Sequence, residues 1–114
     1  MREDKHMINF PQDFLWGTST SGPQTEGRFA GDGKGDNLWD YWYQVEPHRF
    51  RFQEGPGLTS TFYENWEEDI ELLVETGHTA FRTSIQWSRI FPKGRGEVNP
   101  VGVAFYRQVF ERIK

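Results

Sequence analysis

The sequence contains no cysteine. That excludes a disulfide framework, a thiol nucleophile and a Cys-ligated metal, and it agrees with a reducing, cytoplasmic setting. No apolar run is long enough to span a membrane, so no membrane partner is expected. The opening stretch, MREDKHMINF, lacks the apolar centre of a signal peptide, and residues 1–9 read as a tail. There is no basic block and the net charge is −4, so nucleic acid is not a natural partner. The phosphate-loop pattern GxxxxGK[ST] is missing too, and the glycine-rich GRFAGDGKGDN over residues 27–37 reads as a connector. No cofactor and no metal are expected.

What is abundant is aromatic. Of 114 residues, 17% are aromatic and only 35% are hydrophobic in all, so much of the apolar content is flat-faced. Flat faces fill cores and also stack on sugar rings, and composition leaves both uses open.

Periodicity marks strand and helix signals in succession along the chain. Residues 10–20, FPQDFLWGTST, place a bulky strand core at residues 14–16 and then turn small and polar, as a strand does when it leaves a crowded interior for a site. LWDYWYQ, residues 38–44, predicts a short helix capped by Asp36 or Asn37. Pro47, Gly55, Pro56 and Gly57 break residues 45–60 into irregular structure. TFYENWEEDIELLVETG predicts a helix with a Thr61–Glu64 capping box, an apolar face of Phe62, Trp66, Ile70, Leu73 and Val74, and a stop at Gly77. A second strand is expected in FRTSIQWSRIFP, residues 81–92. A last helix starts with Asn99 as N-cap and Pro100 in its first turn, and repeats Val101, Phe105, Val109 and Ile113.

Strand, helix, strand, helix makes two βα units. Two parallel strands leave sheet edges and helix faces uncovered, so residues 10–114 are expected to be the first part of a larger α/β domain. An open doubly wound sheet would carry a glycine-rich turn directly after its first strand. The junction here is long and lacks GxGxxG, which favours a (β/α)8 barrel, incomplete in this chain.

Alternation in the second strand raises a question of charge. Phe81, Thr83 and Ile85 suit the helix-facing side, which leaves Arg82, Ser84 and Gln86 for the barrel interior. An arginine inside needs an anion, because an unpaired buried charge is costly. That anion can be a catalytic carboxylate, an anionic substrate or the partner in a structural ion pair.

At this point the stretches become recognisable together. DFLWGTSTSGPQTEG and FRTSIQWSRIFP resemble the two N-terminal signatures of glycoside hydrolase family 1, the retaining β-glycosidases. TFYENWEEDIELLVETG and GRGEVNPVGVAFYRQVF resemble the helix between them and the stretch that follows. The run is most similar to bacterial 6-phospho-β-glucosidases. The resemblance implies a TIM barrel and hydrolysis by two glutamates, an acid/base in Asn-Glu-Pro and a nucleophile in Thr/Ser-Glu-Asn-Gly. Neither motif occurs in these residues, so the chain alone is expected to be inactive and to need the rest of the barrel. The glutamates at positions 64, 67, 68, 71 and 75 read as a solvated helix face.

Residue by residue, the resemblance gives Gln24 to the glycon hydroxyls, because an amide both donates and accepts. It gives Arg82 to the support of the nucleophile, Trp87 to packing and Glu26 to a structural role. The substrate it implies is a small β-glucoside or phospho-β-glucoside. The alternatives are a non-phosphorylated β-glucosidase, a 6-phospho-β-galactosidase of the same family, or a carbohydrate-binding module without catalysis. Pro23, Arg28 and the Thr61-Phe62 pair depart from the usual family pattern.

Overall fold

The computed structural model describes residues 7–114. Residues 1–6 of the expected tail lie outside the described residues. Two parallel strands, β1 (Gly17–Ser19) and β2 (Ala80–Arg82), pair in the register Gly17–Ala80, Thr18–Phe81 and Ser19–Arg82. Between them come α1 (Gly22–Thr25), α2 (Leu38–Val45), two 3-10 turns at Pro47–Arg49 and Arg51–Gln53, and α3 (Phe62–Glu75). After β2 come α4 (Trp87–Ile90) and α5 (Pro100–Ile113). A parallel pair under long helices differs from the β-sandwich of most sugar-binding modules.

The first strand sits further along than the bulky residues suggest. Phe14, Leu15 and Trp16 are exposed, and Phe14 and Trp16 cluster with Phe10 instead. The ladder forms at Gly17 because the backbones come so close that a Cβ there would lie 2.8 Å from the Ala80 carbonyl oxygen. The second strand is shorter than FRTSIQWSRIFP suggests. It stops at Arg82, and the chain turns into α4 at Trp87. Trp87 is accordingly a helical residue, mostly exposed, tilted against Phe91 and donating from Nε1 to the Gly94 carbonyl at 2.8 Å.

Three helix signals can be checked atom by atom. Asn37 caps α2 in a reciprocal box: its Oδ1 accepts from Asp40 N–H at 2.9 Å, and Asp40 Oδ2 accepts from Asn37 N–H at 2.9 Å. The capping box expected at Thr61 does not form. Thr61 adopts a left-handed backbone, φ 58°, where an N-cap is ordinarily extended, and its hydroxyl accepts from the Asn65 side-chain amide at 2.8 Å instead. Gly77 ends α3 as expected: at φ 76° it lets His78 N–H reach the Leu73 carbonyl while its own N–H reaches that of Val74, the paired bonds of a Schellman stop.

The core lies where α3 and α5 meet the helix-facing side of β2. Phe62, Ile70, Phe105, Tyr106 and Val109 are buried, with Tyr63, Trp66, Phe81 and Ile90 packed around them. These are largely the stripe residues that the spacing selects. Val74 and Val101, also in the stripes, stay exposed. Gly102 lets α5 lie directly on α4, because a Cβ there would stand 2.3 Å from the Arg89 carbonyl oxygen.

Candidate functional site

Two groupings of polar residues lie beyond the C-terminal ends of β1 and β2, where barrel enzymes assemble their sites. One is buried and closed on itself, and the other is open.

The buried group is built around Arg89, which has 0% of its surface exposed. Its Nε donates to Glu26 Oε2 at 2.8 Å, one terminal nitrogen to Asp32 Oδ2 at 3.1 Å, and the other to the Gly27 carbonyl at 3.0 Å. The guanidinium lies over the Tyr63 ring, 4.2 Å from its centroid. Glu26 is completed by the Tyr106 hydroxyl at 2.6 Å and the Gln86 amide at 3.0 Å. Gln86 in turn accepts from the Asn37 amide at 2.7 Å, which ties the start of α2 to the start of α4.

The electrostatics agree with this wiring. Burial works against the Asp32 carboxylate, but the N–H groups of Phe29 and Lys34 and the Arg89 guanidinium outweigh it and hold its pKa below the usual value. Burial also opposes the charge on Arg89, and Glu26 and Asp32 more than restore it, so its pKa is raised. Burial, reinforced by Glu26, pushes the Tyr106 hydroxyl upward, so it stays a proton donor. The group is a clamp: it joins α1 to α4 and α5. Glu26 thus has the structural surroundings expected of it. Arg89, Asp32 and Tyr106 were not legible as a set, because they come from a helical turn, a loop and a helix. The one local hint is the spacing of Gln86 and Arg89, one turn apart in a segment that looks like strand.

The open group contains Gln24. The single turn α1 carries it, with Pro23 in its first turn, where a missing N–H is harmless. The turn is anchored at both ends, since Gly22 N–H donates to Ser84 Oγ at 3.1 Å and Glu26 is held in the clamp. Gln24 Oε1 accepts from Ser21 Oγ at 2.6 Å. The side chain faces an open cavity of about 630 Å³ lined also by Pro23, Trp39, Phe50, Glu54, Pro56 and Ser84.

Arg82 stands at the end of β2 on the side opposite Phe81, which packs toward Phe62. It is exposed, does not line this cavity, and makes no ion pair among the described residues. Arg28 pairs with Asp36 at 2.7 Å and approaches Asp40 at 3.8 Å, which gives a local use to an arginine at that position. Sequence reasoning passed over Trp39, Phe50 and Glu54, which the irregular segment and α2 bring to the cavity.

Residues 6–114 match the family model of Glycosyl hydrolase family 1. The 6-phospho-beta-glucosidase GmuD of Bacillus subtilis is 52% identical over 104 residues, which are 91% of this chain and 22% of the relative. A 6-phospho-beta-galactosidase of Leptotrichia buccalis is 43% identical, over 91% of this chain and 21% of its own length. Among solved structures, a beta-glucosidase from Thermotoga maritima in complex with castanospermine superposes with a TM-score of 0.84 at 36% identity, covering 91% of this chain and 23% of that one. The chain therefore spans under a quarter of the length of the relatives it matches, and its fold is part of their (β/α)8 barrel.

Proposed function

We propose a function from a premise that the comparisons supply: the chain belongs to glycosyl hydrolase family 1. It forms the N-terminal part of a retaining β-glycosidase acting on β-glucosides that carry a 6-phosphate. Gln24 receives the glycon hydroxyls. Arg82 faces the nucleophilic glutamate, which the remainder of the barrel supplies. In the first step that glutamate attacks the anomeric carbon while an acid glutamate protonates the leaving oxygen; in the second the same residue, now a base, takes a proton from water, which attacks the anomeric carbon and releases the nucleophile as a carboxylate.

The observation that carries this reading is the cavity beyond β1 and β2, with the Gln24 amide oriented into it by Ser21. An amide in such a place meets adjacent hydroxyls as donor and acceptor at once. The similarity to a 6-phospho-β-glucosidase supports a phosphorylated glycon.

The test uses the complete enzyme. Gln24→Ala should lower kcat as well as raise KM, with a loss of roughly 1.5–3 kcal/mol in transition-state binding, because these contacts tighten as the ring distorts. Unchanged kinetics would reduce Gln24 to a loop residue. A native enzyme that prefers the plain glucoside to its 6-phosphate would end the phospho-sugar reading. The second reading, a 6-phospho-β-galactosidase, is favoured by the Leptotrichia relative and is separated by the same assay with the galacto epimer.

A further inference from the structure

Gln24 is carried by a helix too short to hold itself. α1 has four residues, and a single turn gains too few hydrogen bonds to offset the dihedrals it fixes. Its place is therefore set by what it rests on. The Ser21 hydroxyl orients Gln24 within the turn, but it moves with the turn. Contacts from outside must fix the turn against the rest of the fold.

Gln86 meets this turn on both sides of Gln24. At the entrance its stem lies on Gly22, so close that a Cβ there would collide with Gln86 Cγ. At the exit its Nε2 donates to Glu26 Oε2 at 3.0 Å. Arg89 and Tyr106 bond to the exit, at Glu26 and Gly27. Gln86 Oε1 turns the other way and accepts from Asn37 Nδ2 at 2.7 Å, while the Gln86 N–H donates to the Tyr106 hydroxyl at 2.8 Å. The direction of the chain is dictated by its ends. A carboxylate accepts, so the Gln86 NH2 faces Glu26 and its oxygen faces Asn37. Asn37 Oδ1 is already taken by the Asp40 N–H in the cap of α2, so Asn37 presents its NH2. One buried amide thus ties the turn that carries Gln24 to the N-cap of the helix that carries Trp39.

We propose that Gln86 is a positioning residue: it sets where the Gln24 amide stands against the glycon, and it acts on turnover through Gln24. The proposal rests on the assignment of Gln24 to the glycon. Gln86 is buried and does not line the cavity that Gln24 faces. Its influence runs through the backbone of α1, and a small shift of that turn moves an amide that must meet two hydroxyls at once.

The experiment is a double-mutant cycle in the complete enzyme. It measures kcat, KM and melting temperature on one 6-phospho-β-glucoside for the native protein, Gln86→Met, Gln24→Ala and the pair together. Gln86→Met keeps the stem and removes the amide, and Glu26 keeps Arg89 and Tyr106, so no carboxylate is stranded. The substitution should lower kcat/KM about tenfold in the native background and less than about twofold where position 24 is already Ala. Gly22→Ala presses on the same contact from the α1 side without removing a polar group, and should show the same dependence on Gln24. It decides the matter if Gln86→Met does not fold. Equal losses in the two backgrounds, with a lowered melting temperature, would make Gln86 a packing residue and overturn the proposal, as would no loss in either. Native kinetics in Gln24→Ala alone would instead remove Gln24 from the glycon, and the positioning role would fall with it.

Discussion

Arg82 and Arg89 are seven positions apart and live in opposite circumstances. Arg89 has every nitrogen engaged within the described residues, by two carboxylates and a backbone carbonyl, and is sealed from solvent. Arg82 ends a strand, exposed and without an ion pair among the same residues. The residue types match, so the difference lies in what the fold has already placed around them. A cation whose partners come from α1 and the adjoining loop is a fastener. A cation at a strand end, exposed and without an ion pair among the described residues, is available to groups that come from elsewhere, as our proposed function requires.

The comparison breaks most severely at Arg89. In the complete enzyme, Arg89→Met should strand Glu26 and Asp32 as buried carboxylates and remove about 3–5 kcal/mol of stability, measured by denaturant or thermal unfolding. A melt within a degree of the native one would show that the clamp is not a fastener.

Arg82→Met should do the reverse, with a modest change in melting and a fall in kcat on the order of a hundredfold. Without the guanidinium the nucleophile would protonate more easily, so the acidic limb of the pH–rate profile should move to higher pH. Near-normal turnover with an unmoved limb would make Arg82 structural after all.

The smallest expected effect sharpens the contrast through pH. The folded-state pKa of Asp32 is depressed, so its contribution is present above the unfolded carboxylate pKa of about 4 and disappears as pH falls through the folded value. Asp69 runs the other way. Burial, with Glu68 beside it, raises its pKa, so its contribution is lost as pH rises. Asp32→Asn should therefore flatten the acid side of the stability–pH curve, and Asp69→Asn should raise stability near neutrality. Equal acid sensitivity of native protein and Asp32→Asn would remove Asp32 from the clamp's electrostatics.

The sequence disclosed best those elements whose stability is local. Asn37, Gly77 and Asn99 stop or start helices through neighbours two to five residues away, and that spacing is visible in one dimension. Thr61 misled because its backbone is left-handed where a cap is extended, which the Thr–Glu spacing does not reveal. The strands were misplaced for a related reason. Hydrophobic alternation marks where side chains want burial, whereas the ladder formed where Gly17 let two backbones meet. The buried clamp stayed hidden because its partners are 57 to 80 residues apart in the chain. The cavity was half-visible: Gln24 emerged through family resemblance, while Trp39 and Phe50 acquire their setting from the docking of α2 and an irregular loop.

The parallel pair carries a topological burden. Trp16 and Thr79, bonded at its entrance, are 63 positions apart. Closing a loop of that length costs roughly 4 kcal/mol in chain entropy before any fixed term is counted. A ladder of three residues per strand offsets little of it. The closure is sustained by side-chain bonds along the seam, such as that between the Thr20 and Thr83 hydroxyls, and by α3, which spans the gap and packs Phe62 toward Phe81. The shape of the side that carries the Gln24 cavity is thus set by helix packing on the opposite face of the sheet.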